Sequence, residues 1–268
     1  MTSTFAYWFK HELLDLPFLA SEHGKQVDDL IVYVHCLMGV LFVGWLAYFL
    51  YTIVHFRQSR HPKADYVGVK SHVSNFLEGG VALVEAILLL GFAVPLWARV
   101  VRSPPSEKES TVIHVLARQF NWNAHYAGMD GIMGRQDPAL AALSGGADPF
   151  GIDRTNDPNA KDDVVVTGNI FVPVNKPVIA HLTGLEVIHS FAIRSMRVCQ
   201  DAIPGLSIPT WFTPIKEGKY RITCAQLCGI GHYQMSGTLV VVSQAEFDKW
   251  LAEQSAKART LGGPQSFE

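Results

Sequence analysis

A long uncharged segment near the N-terminus is the feature that most constrains how this chain can fold. Residues 30–56 form a run of 27 without a single Asp, Glu, Lys or Arg. Because an α-helix rises about 1.5 Å per residue, such a run is longer than the roughly 30 Å thickness of a bilayer's hydrocarbon core. We therefore expect a tilted transmembrane helix over 30–56, and not a core helix of a water-soluble protein.

A second apolar segment, residues 79–98, predicts a second transmembrane helix, although it contains Glu85. A carboxylate is costly in lipid, so we expect Glu85 to face a partner protein. The loop between the two segments, residues 57–78, carries four basic residues up to Lys70 against the single acid Asp65. The positive-inside rule then places this loop in the cytoplasm and residues 1–29 outside, with the first helix serving as an uncleaved insertion signal.

Beyond a proline-rich linker at 103–106, the pattern changes to short β-like runs separated by Gly, Pro, Asn or Asp. These runs cover residues 111–116, 164–167, 177–183, 187–193, 219–224 and 237–242. They predict an all-β sandwich or barrel over residues 104–243. Within it, residues 129–163 hold seven acids, three bases and few large apolar side chains, which predicts a solvated surface insertion.

The C-terminal segment, residues 244–268, predicts a helix followed by a disordered tail from about Gly262. Ser243 and Glu246 have the spacing of a capping box, and Phe247 and Trp250 lie on one apolar face. The net charge of −2 and the lack of a basic run give no indication of nucleic-acid binding. No Cys-x-x-Cys-His motif for covalent haem attachment occurs in the sequence.

The residues with the most specific chemistry lie in Cys224-Ala-Gln-Leu-Cys228-Gly-Ile-Gly-His232-Tyr-Gln-Met235. Thiolate and thioether ligands favour copper, whereas structural zinc sites use four Cys or His ligands. A mononuclear blue copper site needs one cysteine, so the second thiol indicates two coppers bridged by sulfur, each with its own imidazole. His189, on a β-like run upstream, is the best candidate for the second imidazole.

The pairing of Val187-Ile-His-Ser-Phe191 with Cys-x3-Cys-x3-His-x2-Met, behind two apolar helices, resembles the CuA-containing subunit II of cytochrome c oxidases. The likeness is to the bacterial type without a fused cytochrome c domain. It covers nearly the whole chain, including residues 118–123 and 201–205. It implies a two-helix transmembrane hairpin followed by an all-β cupredoxin-like barrel with a C-terminal helix. The expected location is the bacterial inner membrane, with the barrel on the periplasmic side.

The resemblance also implies a function. A binuclear copper centre, CuA, accepts electrons from a c-type cytochrome and passes them to haem in subunit I. There, haem and CuB reduce oxygen to water and protons are pumped, so this chain has no catalytic residue for the oxygen chemistry. Subunit III and a respiratory supercomplex are further expected partners. The implied copper ligands are His189, Cys224, the main-chain carbonyl of Gln226, Cys228, His232 and Met235.

Several positions depart from the family pattern. Gln226 stands where the family has a glutamate that helps to hold magnesium at the subunit I interface, and an amide is a poorer ligand for this ion. Leu206 replaces the family's usual arginine in the same region. Phe120 occupies the place of the tryptophan that receives the electron in many members, while Trp122 follows two residues later, so we expect electrons to enter at Phe120 and Trp122 by a path that differs from the family's. Glu78 falls at the position of the family glutamate at the mouth of a proton-uptake channel.

Three other classes of protein fit the residues less well. A quinol oxidase subunit II shares the anchor and the barrel but lacks the copper ligands. Nitrous oxide reductase has a similar copper centre but needs a large additional domain and no hairpin. A membrane-anchored copper chaperone also uses Cys-x3-Cys with a distant histidine, and it is the main alternative. It has a thioredoxin-like βαβ pattern and a single anchor helix, which the sequence does not show.

Overall fold

The computed structural model describes residues 8–63, 66–68, 70–145 and 147–261. The expected disordered tail from Gly262 and the first seven residues of the N-terminal segment lie outside these ranges. The chain divides into two compact units. One consists of Met1–Leu16 and Gln26–Arg102, and the other of Pro17–Lys25 and Ser103–Glu268.

The first unit is built on two long helices, α1 (Gly24–His55) and α2 (Val73–Arg102). Both are long and apolar enough to cross a membrane, and their apolar side chains are largely exposed. Each helix extends beyond its apolar run, because helical hydrogen bonding continues into the polar residues on both sides of 79–98 and before residue 30. A π-helical turn at Leu89–Ala93 interrupts the α-helical hydrogen bonding of α2.

The second unit is a sandwich of two five-stranded sheets. The first sheet has the order β3-β2-β1-β5-β8 and the second the order β4-β10-β9-β6-β7. The strands are β1 (Thr111–Arg118), β2 (Asn121–Tyr126), β3 (Val164–Thr167), β4 (Asn169–Pro173), β5 (Val178–Gly184), β6 (His189–Ile193), β7 (Val198–Ala202), β8 (Ile208–Phe212), β9 (Gly218–Cys224) and β10 (Ser236–Val242). The β1–β5 and β4–β10 pairs are parallel and the other ladders antiparallel, which gives the expected cupredoxin-like architecture.

The inner faces of both sheets meet in one apolar core. In β1, alternate residues Ile113, Val115 and Ala117 point inward and are at most 1% exposed. They meet side chains of the second sheet such as Ile222 and Leu239, which are fully buried. Burial of apolar surface on this scale is the main stabilising contribution to such a domain.

A strap formed by Pro17–Lys25, just before and into the start of α1, belongs to the sandwich. Its backbone bonds to two loops of the domain: Ala20 N–H donates to Ser195 O at 2.8 Å, and Ile215 N–H donates to Ala20 O at 2.9 Å. The hydroxyl of buried Ser21 donates to Met196 O at 2.6 Å. Residues 1–29 are therefore not simply an external tail, because nine of them are part of the folded domain.

The insertion at 129–163 is folded, so its prediction as a solvated loop is wrong. Phe150, Ile152 and Ala160 are buried and form a small apolar cluster with Leu116 of β1. Its acidic side chains accept internal backbone hydrogen bonds, as Asp148 does from the N–H groups of Phe150, Gly151 and Ile152. The short helix α3 (Pro138–Leu143) lies within the insertion and is capped by Asp137. The acids therefore stabilise turns, because carboxylate oxygens satisfy backbone donors that the insertion otherwise leaves unpaired.

The C-terminal helix α4 (Gln244–Leu261) packs on the sandwich through its aromatic residues. The predicted capping box is confirmed, since Glu246 N–H donates to Ser243 Oγ and Ser243 N–H donates to Glu246 Oε2, both at 3.2 Å. Trp250 stacks on Phe171 of β4 with ring centroids 4.6 Å apart. The helix thus covers the outer edge of the second sheet.

Candidate metal centre

Neighbouring strands bring the ligand residues that the sequence predicts to one end of the second sheet. His189 is the first residue of β6 and Cys224 the last residue of β9. In the pairing of β6 with β9, Phe191 lies opposite Cys224. His189 is two residues before Phe191, so its side chain lies on the same face of the sheet as that of Cys224. The loop from Ala225 to Met235 then returns to β10, and Cys224 N–H donates to Met235 O at 3.3 Å to close it.

The donor atoms of five side chains converge beneath this loop: those of His189, Cys224, Cys228, His232 and Met235. The Sγ atoms of Cys224 and Cys228 are 3.8 Å apart, and Cys228 Sγ is 3.5 Å from His232 Nδ1. His189 Nδ1 lies 3.9 Å from Cys224 Sγ and 3.1 Å from Met235 Sδ. Cys228 Sγ is also 3.8 Å from Met235 Sδ. Among the described residues, His189, Cys224 and Cys228 form a group whose ligand atoms all lie within 4.8 Å of one another.

This donor set fits copper better than it fits a structural hydrogen-bond network. A thioether has no proton to donate, so Met235 Sδ is at most a weak acceptor towards His189 Nδ1 at 3.1 Å and Cys228 Sγ at 3.8 Å. The two cysteines are free thiols and do not form a disulfide. Two thiols, two imidazoles and a thioether directed into one space are soft and borderline ligands, which suit copper.

The surroundings favour the uncharged forms of His189 and Cys228. Burial is the main cause that lowers the pKa of His189 below its ordinary value, so its ring keeps a lone pair available. Burial, followed by the hydrogen bond and the charge of Cys224, raises the pKa of Cys228 to about 11. A metal that binds here therefore has to displace the thiol protons, and loading is coupled to proton release.

The main-chain carbonyl of Gln226 also faces the site, whereas its side chain is exposed. Cys224 Sγ donates to Gln226 O at 3.1 Å, which places this oxygen beside the sulfur, as expected for a further ligand. The exposed amide of Gln226 lies on the surface of the same loop. The loop surface is unusually apolar: Leu227, Ile230 and Tyr233 are each at least 77% exposed. Contiguous exposed apolar surface of this kind is typical of a protein contact site.

The turn between β1 and β2 packs against the loop of residues 225–235, which we call the ligand loop. The sequence did not predict most of these contacts. The side-chain amide of Gln119 donates to Cys228 O at 2.6 Å, and Gln119 N–H donates to Glu186 Oε2 at 3.1 Å. The ring of Phe120 lies against Gly231, where an added Cβ would come within 2.4 Å of it. A glycine at this position therefore permits the close packing of Phe120 on the loop. The signal in the sequence was the family-like stretch at 118–123.

Phe120 and Trp122, which the sequence predicts as electron-accepting residues, occupy different environments. Phe120 is half-buried and reaches the surface beside the loop. Trp122 is fully buried, edge-on to Phe191 at 5.2 Å and to His189 at 6.2 Å between ring centroids. A donor protein cannot touch Trp122 directly, and the predicted part of this residue in electron entry stays a prediction. The residue belongs to the core beneath His189.

The two carboxylates of the second helix lie in the other unit. Glu78 is exposed near the start of α2. Glu85 lines an apolar groove between α1 and α2, together with Leu30, Val34 and Met38. The expectation that Glu85 faces a partner protein stays a prediction, because its side chain borders the first helix of the same chain but is also exposed.

Comparisons with known proteins point to one family. The profile of the family described as cytochrome c oxidase subunit II, periplasmic domain, matches residues 148–244. The alternative cytochrome c oxidase subunit 2 of Bradyrhizobium diazoefficiens is 29% identical over 238 residues, covering 88% of this chain and 83% of the relative. The probable cytochrome c oxidase subunit 2 of Rickettsia conorii is 30% identical over 219 residues, covering 82% of this chain and 64% of the relative.

Among solved structures, the periplasmic domain of cytochrome oxidase subunit II of Bradyrhizobium japonicum is similar, with 28% identity and a TM-score of 0.41. The match covers 57% of this chain and 97% of that domain. The copper-chaperone alternative is not favoured by the relatives. The described residues of the second unit form a two-sheet sandwich and contain no strand–helix–strand unit of the thioredoxin type.

Proposed function

The chain belongs to the cytochrome c oxidase subunit II family, and from that premise we propose that it is the electron-accepting subunit of a terminal haem–copper oxidase. The observation that carries the proposal is the convergence of two free thiols, two imidazoles and a thioether at one end of the sandwich. The complex is an oxidoreductase, and subunit I is the partner that holds haem and CuB. The chemistry at oxygen belongs to that partner.

The proposed cofactor is the binuclear copper centre CuA. The residues that would hold it are His189, Cys224, the Gln226 carbonyl, Cys228, His232 and Met235. A pair of coppers bridged by two thiolates takes up and releases one electron with little rearrangement, which suits an electron relay. The protein supplies a preorganised ligand loop, fixed by Gln119 on one side and by the β9–β10 ladder on the other.

The proposed electron donor is a c-type cytochrome that docks on the apolar loop surface. Leu227, Ile230 and Tyr233 are exposed around the ligand loop, and Phe120 lies at its margin. We propose that Phe120 is the residue at which electrons arrive. Its ring packs on Gly231, the residue before the ligand His232, so a short path joins the surface to the centre.

The helical unit is proposed to anchor the chain in the bacterial inner membrane with both helices spanning. The sandwich then lies on the periplasmic side, with residues 57–78 in the cytoplasm. Glu78 is proposed to act in proton uptake from the cytoplasmic side. Subunit III and a respiratory supercomplex are further proposed partners. A magnesium ion at the subunit I interface is proposed to bind weakly at best, because Gln226 supplies a neutral amide where a carboxylate would serve better.

The proposal is tested by the path that electrons take in the purified oxidase. In stopped-flow mixing with a reduced c-type cytochrome, the intact complex should oxidise the donor and reduce the haem of subunit I. A His189→Asn complex should leave the donor reduced, while a small-molecule reductant still reduces the haem. The same change at exposed His61 serves as the control and should behave like the intact complex. Donor oxidation at the normal rate in His189→Asn would overturn the proposal.

A further inference from the structure

Three histidines lie side by side on the outer face of the first sheet, away from the copper ligands on β6 and β9. His114 of β1 is directly opposite His125 of β2 and His181 of β5 in the strand register. The centroid of the His114 ring lies 5.8 Å from that of the His125 ring and 5.4 Å from that of the His181 ring. The folded insertion covers one end of this row, where Phe150 packs on His125 with ring centroids 5.3 Å apart.

One amide group connects two of these rings and reveals where their protons are. The side-chain nitrogen of Gln136, in the insertion, lies 3.1 Å from His114 Nδ1 and 2.9 Å from His125 Nδ1. An NH2 group has two hydrogens to donate, so in this arrangement both Nδ1 atoms accept, with their lone pairs directed at the amide nitrogen. The lone pairs of two imidazoles therefore converge on one point.

The other nitrogen of His125 is held by a buried carboxylate. His125 Nε2 donates to Asp163 Oδ2 at 2.7 Å, and both side chains are fully buried. A carboxylate that accepts the second ring N–H is the usual support of a metal-binding histidine, since it fixes the ring and makes its free nitrogen more basic. The second oxygen, Asp163 Oδ1, is buried and has no hydrogen-bond partner in the part of the chain that the structure describes. A buried carboxylate oxygen without a donor is costly, and the N–H groups of His125 and Gly134 satisfy only Oδ2.

We propose that this row of histidines binds one divalent transition ion of the imidazole-preferring class, Zn²⁺ or Cu²⁺. The ligands are His114 Nδ1, His125 Nδ1 and a ring nitrogen of His181, and the ion takes the place of the Gln136 amide. Metal–nitrogen bonds of about 2.0–2.1 Å require the three ring nitrogens to approach one another, so binding requires the half-buried rings of His114 and His181 to rotate. The carboxylate of Glu107 lies near the third ring, 3.9 Å from His181 Nε2.

The site has a physical consequence for the insertion. Gln136 lies within the insertion and Asp163 is its last residue, whereas the three histidines lie on strands of the first sheet. An ion bound here would join the two through the His125–Asp163 pair. A purely structural network of hydrogen bonds would join them through the same pair and also through Gln136, whose amide the ion would displace. The two possibilities therefore differ in what happens when this amide is removed.

The experiment measures zinc binding to the assembled, copper-loaded oxidase after treatment with a chelator that leaves the copper content unchanged. Equilibrium dialysis against micromolar Zn²⁺, followed by elemental analysis, gives zinc per complex. The intact complex should bind one zinc more than the His114→Ala and His181→Ala complexes, in which affinity should fall by at least about tenfold. His72→Ala removes an exposed imidazole in the loop before α2 and should bind like the intact complex. Gln136→Ala should bind zinc equally well or more tightly.

A second arm uses Cu²⁺ in place of Zn²⁺ and separates the two ions. A mononuclear electron paramagnetic resonance (EPR) signal with nitrogen couplings should appear in the intact complex and vanish in His181→Ala, and competition between the ions shows which one binds more tightly. Equal zinc stoichiometry and affinity in all the histidine variants would overturn the proposal. Loss of zinc in Gln136→Ala would overturn it as well, because the amide would then be needed for the site. If His114→Ala does not assemble, His181→Ala and Gln136→Ala decide the question.

Discussion

The strap before the first helix allows a prediction whose size follows from the structure. Ser21 is fully buried, and its hydroxyl donates to the carbonyl oxygen of Met196 at 2.6 Å. In a Ser21→Ala variant, this acceptor lies in the core without a donor. Leaving a buried polar group unpaired costs about 1–3 kcal/mol. For a domain of this size, each kcal/mol lowers the unfolding midpoint by roughly 2–4 °C, so we expect a decrease of about 2–12 °C.

The assay is thermal unfolding of the copper-loaded chain in detergent, followed by circular dichroism at one fixed scan rate. Ser207→Ala is the matched control, because Ser207 is exposed in the loop before β8 and its change should alter stability by less than about 0.5 kcal/mol. A midpoint for Ser21→Ala equal to that of the control would refute the reasoning. It would mean that residues 17–25 are not part of the folded domain. A fragment that starts at residue 104 should be less stable still, because it lacks the whole strap.

Four further predictions concern the two sites and the helices. Cys228→Ser should abolish the binuclear centre, and metal analysis should find fewer than two coppers per chain; two coppers would remove this thiol from the ligand set. Glu78→Gln should slow proton-coupled turnover in reconstituted vesicles at normal copper content, whereas unchanged turnover would leave Glu78 an ordinary interfacial residue. Phe120→Ala should slow oxidation of the cytochrome donor without changing the copper spectrum, and an unaltered rate would place electron arrival elsewhere. Burial, with smaller contributions from His125 and His181, lowers the pKa of His114 to about 4, against an opposing effect of Asp163. As the pH falls, the unfolded chain therefore binds a proton before the folded chain does, and the free energy of unfolding should decrease between about pH 6.5 and pH 4. In chelator-treated protein, the unfolding midpoint should decrease less steeply with pH in His114→Asn than in the unaltered chain. Parallel curves for the two proteins would contradict this.

The sequence was sufficient for features that depend on local spacing or on strong apolar patterns. The ligand loop could be predicted because its four side chains lie within twelve residues, and copper preference follows from their chemistry alone. The capping box of α4 was predicted for the same reason. The strand β3 was predicted at its observed bounds, since a run of β-branched residues has one clear interpretation.

Four strands were missed, each for a physical reason. The β2 sequence Asn-Trp-Asn-Ala-His-Tyr has little aliphatic alternation, because insertion residues rather than solvent cover its outer face at His125. Strands β4, β7 and β8 lie at sheet edges, where one side of the backbone is unpaired and Pro or polar residues are tolerated. Such strands depend on the sheet for their conformation, and local propensity does not identify them.

Contacts between distant parts of the chain were likewise beyond the reach of the sequence. The strap brings Ser21 to Met196, 175 positions away along the chain, and Gln119 supports Cys228 from 109 positions away. The histidine row requires knowledge of the β1–β2 and β1–β5 registers, one of which is a parallel pairing. The hydrogen bonds of Ser21 and Gln119 have no sequence signature, because the residues next to a polar side chain in the sequence do not indicate which distant backbone carbonyl it reaches.

The central claim is that this chain holds two coppers that share one electron, and EPR of the oxidised, copper-loaded chain tests it most directly. One unpaired electron delocalised over two equivalent copper nuclei gives a seven-line hyperfine pattern, which is the predicted result. A four-line pattern from one copper nucleus, with His189, Cys224 and Cys228 unaltered, would contradict the claim.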